Sequence, residues 1–442
     1  MIIRASVAAI EIGGTLVGDD TDIDGVCFDS RQIVAGQLFV ALSAERDGHD
    51  FVPQVVGIAN AAIVQRAKRP TNGWPLCVIE VDDTQQALLA LGSYARQQLM
   101  QAQGRVVAIT GSVGKTSTKD FINAVLMSKF SPVVASEKSF NNDIGLPVTL
   151  LAAPTDAQAV VLEMGMRGFG EISRLCSVAS PDIGVITRVG EAHTERVDGV
   201  MGVQKAKAEL VQALPKSGWA VLNADDDLVL AMRPLTRASV LTYGVNKKAD
   251  VRFKVIATDD EGRIIAEVHH KATGETAVFR CSAPGLHMAS NAVAALAVAG
   301  LVGIELTQAC RVLETVSLTG SRMERRTMAS GAILIDDSYN ANPTSTRAAL
   351  LTLASFDVLR RVAVLGMMAE VADSQEAHLR IASLAQELGI ELVAFETDLY
   401  GVAGLSSQDV IARLAHLGDE AAILIKGSRV AQLERVVQAL VG

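Results

Sequence analysis

Residues 105 to 120 read RVVAITGSVGKTSTKD. A short apolar, β-branched run from Arg105 to Thr110 gives way to Gly111-Ser112-Val113-Gly114-Lys115-Thr116. From Lys115 the apolar positions switch to helical spacing, with Phe121, Ile122, Val125 and Leu126 on one stripe. Strand, glycine loop and helix in this order suit a nucleotide-phosphate cradle. Bare backbone lets several N–H groups point at one phosphate chain, and the helix dipole favours the anion. Lys115 reaches the terminal phosphates and Thr116 can hold a metal. The general pattern G-x-x-x-x-G-K-[ST] wants a glycine where this chain has Ile109. The plain alternative is an ordinary turn between a strand and a helix.

A chain of 442 residues is long enough for about three domains of ~150 residues each. Its 49% hydrophobic and 20% charged content describes well-packed domains. A formal charge of -9 without any basic run argues against a nucleic-acid partner. The longest apolar stretch, Ala292 to Ile304, is interrupted by Gly300 and Gly303 and is shorter than the roughly 20 residues of a membrane span. The opening MIIRASVAAIEIGG has too brief an apolar core for a signal peptide, so membrane insertion is not expected. Cys27, Cys77, Cys176, Cys281 and Cys310 stand alone, as reduced packing residues of a cytoplasmic protein do.

Residues 1–103 mix short strands with helices, ending in a helix from Thr84 to about Gln103, and Gly104 closes this unit. A short strand feeds Asp29-Ser30-Arg31, whose hydroxyl and guanidinium fork suit a diphosphate or a uracil edge; a capped turn with a surface ion pair is the blander reading.

Residues 104–318 form a doubly wound α/β domain around the phosphate loop. The polar stretch Glu137 to Pro147, with Asn141 and Asn142, reads as a binding loop followed by a proline-started helix. Strand Ala159 to Leu162 delivers Glu163, and strand Ile183 to Thr187 delivers the segment holding His193. Ligands of an open α/β sheet sit at the carboxyl ends of its strands, so both residues should face the phosphate loop and could hold divalent cations. Magnesium prefers oxygen, which favours Glu163; a hydrogen-bonded structural role is the competing reading of His193. On the helix Val200 to Leu214, Lys205 and Lys207 face nearly opposite ways. Lys205 can pair with Glu209, leaving Lys207 for chemistry or for the surface. Residues 251 to 281 alternate as an antiparallel ribbon, in which His269 and His270 are expected to be exposed. Asn291, on an alanine-rich helix, could read a purine base through its amide.

From 319 to 442 four strand-and-helix units repeat, a small Rossmann-like domain. Its strand ends carry Asp337, Tyr339, Asn340, Lys426, Ser428 and Arg429, and Pro343 suits a helix start after Asn342. Gly320 with Arg322 looks like a hinge.

TGSVGKTS at 110–117, together with NNDIGLP at 141–147, EMG at 163–165, AHTE at 192–195, KAKAE at 205–209, DDSYNANP at 336–343 and KGSR at 426–429, resembles the Mur ligase superfamily. The similarity spans all three segments, and DDSYNANP is the most specific phrase. Met288, Ser139 and Met367 depart from residues common in that family. The resemblance implies a small UDP-binding domain, a central ATPase and a C-terminal Rossmann-like domain. It implies a cytoplasmic amide ligase of peptidoglycan synthesis that joins D-alanyl-D-alanine to a UDP-N-acetylmuramoyl-tripeptide through an acyl phosphate; a monomer is expected, although no residue pattern speaks to oligomeric state. Carried onto this chain, Gly111, Ser112, Gly114, Lys115, Thr116 and Ser117 would surround ATP phosphates. Magnesium would take two sites, through Thr116, Glu163, His193 and a carbamylated Lys207. Asn291 would meet adenine, and Arg322 and Asp337 would close onto ATP. Ser30 and Arg31 would sit at the uridine end, and Asn141, Asn142, Tyr339, Asn340, Asn342, Lys426, Ser428 and Arg429 nearer the peptide substrates. A folylpolyglutamate synthase, a non-ligase ATPase switch and an idle sensor of UDP-sugar peptides are the alternatives.

Overall fold

The computed structural model describes residues 1–137, 140–192 and 194–441. The first unit is built on a five-stranded sheet in the order Thr15–Val17, Val78–Val81, Ala61–Gln65, Leu38–Val40, Val26–Cys27. Its first pair is antiparallel and the others parallel. A separate antiparallel pair, Ile2–Arg4 with Asp22–Asp24, flanks it.

The helix Thr84–Gln101 begins where Asp83 accepts hydrogen bonds from Gln85 N and Gln86 N. It touches the strand Ala61–Gln65 on one side and packs on the helices Gly145–Ala152 and Glu171–Ala179 on the other. Buried Arg96 fixes that second contact. Its guanidinium donates to Ala179 O, Ser180 O and Gly104 O, and pairs with Asp182 at 2.9 Å. The apolar core runs without a break from Ile3 to Ala238 across both units. The helix is therefore a shared wall rather than the end of one domain.

The central sheet has nine strands. Six parallel strands lie in the order Ser239–Gly244, Trp219–Asn223, Ile183–Ile186, Arg105–Thr110, Ala159–Glu163, Val133–Ala135. The ribbon Val251–Thr258, Arg263–His270, Thr276–Pro284 extends one edge, its first strand parallel to Ser239–Gly244 and its own pairings antiparallel. The buried parallel strands read as continuous Val, Ile and Ala runs because both of their faces are covered. The ribbon instead alternates, and Ile264, Ala266, Val268 and His270 share its inner face. His270 is thus buried against Gly300 of the helix Leu286–Leu301, contrary to the sequence expectation, whereas His269 is exposed and bonded to Thr276.

The C-terminal sheet has the order Glu324–Thr327, Ile333–Asp337, Ala421–Lys426, Arg360–Leu365, Glu391–Ala394. Four strands are parallel, as the repeated units require, and the first is an antiparallel edge that the sequence pattern does not announce. The domain rests on the central one through Arg380 Nη2 to Glu191 Oε2 at 2.5 Å and Ala372 N to Thr194 Oγ1 at 3.2 Å. Among the described residues no helix is long and apolar enough to cross a membrane.

Candidate active site

The mouth of the central sheet opens into a cavity of about 570 Å³, closed from the far side by the C-terminal domain. It is lined at its centre by Ser112 to Ser117, Asn141, Asn142, Glu163, Asn291, Arg322, Asp337, Tyr339, Asn340, Asn342 and Lys426. Residues that lie far apart in the chain meet here because parallel strands deliver their carboxyl ends to one edge.

Gly114 caps the helix Lys115–Met127 at φ +84°, and a Cβ there would lie 2.6 Å from Asn291 Oδ1. Only glycine satisfies both demands. Asn291 therefore packs directly on the loop, with Met288 Sδ 3.9 Å from its amide nitrogen. The first-turn N–H groups of that helix have no carbonyl partner within it and face the cavity with the dipole's positive end. Thr187 Oγ1 donates to Val113 O at 2.6 Å, and Ser112 Oγ exchanges bonds with Gly190 N and O. These contacts hold the loop in shape and occupy the Ser112 hydroxyl within the protein.

Glu163 is 3% exposed. Its Oε2 accepts from Thr116 Oγ1 at 2.6 Å and its Oε1 from Asn141 Nδ2 at 2.9 Å. Two of the expected ligand-binding segments thus converge on one carboxylate. Lys115 Nζ donates to Gly111 O at 2.8 Å. Burial holds its ammonium below the usual lysine range, with Glu163 opposing and Arg322 adding to the shift. Lys207 is 1% exposed. Burial, reinforced by Lys115 and resisted by Glu163, holds its ammonium well below the usual lysine range. Lys205 is exposed as expected, but Glu209 is not its partner. The Glu209 carboxylate accepts from Gly170 N at 2.7 Å and Ser173 N at 2.9 Å, because free amides at the start of the helix Glu171–Ala179 offer it a fixed site. His193 and Ser139 lie outside the described residues.

On the opposite wall, Asp337 Oδ2 meets Lys426 Nζ at 2.5 Å, and Lys426 also donates to Asn340 O at 2.8 Å. The Arg322 guanidinium lies 4.1 Å from the Tyr339 ring centroid, with Arg429 on the same ring at 5.8 Å. Asn342 acts chiefly as a cap, forming a reciprocal box with Ser345 at the start of the helix Pro343–Ala354. Asn142 Oδ1 accepts from Ile144 N and Gly145 N in the turn before the helix Gly145–Ala152, which begins two residues ahead of Pro147 rather than at it. Ser428 is turned inward, accepting from Ala369 N and donating to Ala341 O. Ser30 and Arg31 stand apart from the cavity, Arg31 being paired to Asp29 at the surface. Their neighbour Phe28 nevertheless lies tilted against Phe140, 6.0 Å between centroids, beside the Asn141 loop.

The sequence reading passed over Arg167, Arg188 and His287, which also line the cavity. The first two follow strand ends by a few residues, a position that could have marked them. Burial pushes His287 down to about 4, with Asp337 opposing and Lys426 and Arg188 adding to the shift.

Among the described residues no group of three or more His, Cys, Asp or Glu side chains is placed to hold a metal. The hydroxyl of Thr116 and the carboxylate of Glu163 form a small oxygen set, which fits an ion that retains waters and shares a nucleotide's phosphate oxygens, as Mg²⁺ does.

Residues 109–299 match the family described as the Mur ligase middle domain, and residues 321–440 the Mur ligase, glutamate ligase domain. The UDP-N-acetylmuramoyl-tripeptide–D-alanyl-D-alanine ligase of Bacillus subtilis (strain 168) is 36% identical over 370 residues, covering 83% of this chain and 78% of that one. The structure of MurF from Acinetobacter baumannii superposes with a TM-score of 0.90 at 29% identity, over 100% of this chain and 99% of its own. MurF ligase from Thermotoga maritima, solved in complex with ADP, gives 0.82 at 26% identity, over 94% and 96%. A phosphate loop, a buried carboxylate and a facing C-terminal wall are thus found in a chain that belongs to the UDP-N-acetylmuramoyl-tripeptide–D-alanyl-D-alanine ligase family of the Mur ligases.

Proposed function

We propose that the chain catalyses the ATP-dependent joining of D-alanyl-D-alanine to UDP-N-acetylmuramoyl-tripeptide in peptidoglycan synthesis, forming ADP and phosphate, in the cytoplasm. The observation that carries the reading is the convergence of Thr116, Asn141 and Glu163 at the phosphate loop, opposite Arg322, Asp337 and Lys426 of the last domain.

A carboxylate is a poor acyl donor, so the tripeptide's terminal carboxylate oxygen first attacks the γ-phosphorus of ATP and ADP leaves. The amine of D-alanyl-D-alanine then adds to the acyl-phosphate carbon, and phosphate departs from the tetrahedral intermediate as the amide forms and the amine loses a proton. The loop N–H groups and Lys115 spread charge on the transferring phosphoryl. Lys115 is suited to follow the phosphate as it moves, since its present partner is only a carbonyl of its own loop. Arg322, stacked on Tyr339, presents a second cation from the opposite wall. Bound Mg²⁺ would neutralise phosphate charge, held by Thr116 and Glu163.

Lys207 fits this arrangement as a carbamate. The Lys207 ammonium, disfavoured by burial and by Lys115, loses a proton; the amine adds to CO₂ and loses a second, becoming an anionic oxygen donor. His193 is the expected second metal ligand, and Asn291 the adenine contact. Ser30 and Arg31 belong to the uridine end.

The test is ADP formation by the whole chain with ATP and UDP-N-acetylmuramoyl-tripeptide, with and without D-alanyl-D-alanine. The ligase reading expects turnover only with both acceptor and donor, and a pentapeptide product by mass. ADP production indifferent to the dipeptide would replace it with an ATPase switch.

A further inference from the structure

The bonds around residues 318–323, where the chain leaves the central domain, divide it at a single residue. Thr319 is held by the central domain: its N–H donates to Asp120 Oδ2 at 2.8 Å, and its hydroxyl to Asp120 Oδ1 at 3.0 Å. Asp120 is buried on the phosphate-loop helix, four residues after Thr116. Lys119 Nζ lies 3.0 Å from the same carboxylate and donates to Ser136 O at 2.8 Å, so the anion itself is fixed in place. Past Gly320 the bonds belong to the other domain. Ser321 O accepts from Tyr339 N at 3.4 Å, Met323 N donates to Asp337 Oδ1 at 3.3 Å, and the strand Glu324–Thr327 pairs with Ile333–Asp337. Gly320 stands between the two sets at φ +58°, and a Cβ there would meet nothing within 4 Å. It is held by shape of backbone rather than by contact.

We propose that Asp120 is a positioning residue for the ligase reaction: by clamping Thr319 it confines the pivot of the C-terminal domain to Gly320 and so aims Arg322 at the phosphates. The inference rests on the ligase reading above. One rigid helix presents the phosphate-binding turn at its start and the anchor of the linker one turn later, so the distance between them is set by helix geometry. Arg322 comes two residues after the pivot, and its Nε is buried without a hydrogen-bond partner among the described residues. Releasing Thr319 lengthens the free linker, and a guanidinium misplaced by about 1 Å loses much of its effect on transfer. Asp120 does not line the cavity, so its removal should slow turnover without weakening nucleotide binding.

The experiment compares the whole chain with Asp120→Ala, Thr319→Val and Thr319→Ser. Pentapeptide formation, affinity for a non-hydrolysable ATP analogue and the scattering radius with and without analogue plus UDP-N-acetylmuramoyl-tripeptide are measured for each. The expected result is a kcat lowered about tenfold or more in Asp120→Ala and about threefold or more in Thr319→Val, with Thr319→Ser within about twofold of the parent because it keeps both bonds. Analogue affinity stays within about twofold in all three, and ligand-induced compaction is diminished in the first two. Should Asp120→Ala not fold, Thr319→Val decides. Unchanged kcat and compaction in that variant would overturn the clamp, as would an analogue affinity that falls in step with kcat, which would place Asp120 in the nucleotide site. The scattering arm reads the pivot without turnover. A parent chain that compacts but makes no pentapeptide would therefore count against the ligase reading and not against the clamp.

Discussion

At the scale of single residues, the site depends on groups held away from their ordinary protonation or solvation. Lys207 is the extreme case, a lysine with the amine's neutral form favoured by burial and by the charge of Lys115. Its replacement by alanine is expected to lower kcat by on the order of a hundredfold, with partial recovery in short-chain carboxylates that supply the missing oxygens. The parent should lose activity when CO₂ is stripped from the buffer and regain it with bicarbonate. Full activity of Lys207→Ala at low bicarbonate would remove the carbamate from the account. His287 gives a pH signature of its own. Its folded pKa, about 4, lies below the ordinary 6.5, so the unfolded chain takes up the proton first as pH falls. Its contribution to stability is complete above pH 6.5 and is lost toward pH 4, amounting to at most about 3 kcal/mol. Thermal midpoints measured across that window should decline less steeply in His287→Asn than in the parent, and parallel curves would show that His287 is not the group responsible.

At the scale of elements, the turn at 110–116 was legible because one change of period, from β-branched run to helical stripe, brackets a glycine pair, and chain connectivity alone then sets the site's edge. The Rossmann-like repeat was legible for the same reason. What pattern could not reveal was how neighbours in space claim side chains. Glu209 and Lys205 have ideal helical spacing, yet the carboxylate goes to the amides of another helix; the oxygens of Asn142 and Asn342 take backbone amides at their own turns, a use that their spacing does not announce. His270 looked like its exposed neighbour until the register of the ribbon put it on the inner face. Helix Thr84–Gln101 shows the same limit for a whole element, since Arg96 joins it to the domain that follows. Arg96→Ala leaves three carbonyl groups and Asp182 without their partner, and should cost about 3 kcal/mol or more. Calorimetry should show a lowered melting transition while the folded variant keeps its kcat; an unchanged transition would mean that the contact is not structural.

At the scale of the whole molecule, three units divide the labour of one reaction. The middle sheet opens its strand ends onto the cavity, the first unit lies beside the Asn141 loop through Phe28 and Phe140, and the last lines the cavity with Arg322, Asp337 and Lys426. The last domain meets the central one through Arg380–Glu191, Ala372–Thr194 and an apolar cluster that carries Phe356 against Gly262. The central claim, that the cavity activates a carboxylate by phosphorylation, is tested most directly by oxygen tracing. With ¹⁸O in the terminal carboxylate of the UDP-N-acetylmuramoyl-tripeptide, ATP and D-alanyl-D-alanine, one labelled oxygen should pass into each phosphate released, in step with pentapeptide formed. Phosphate carrying no label beyond the unlabelled-substrate control would contradict the account.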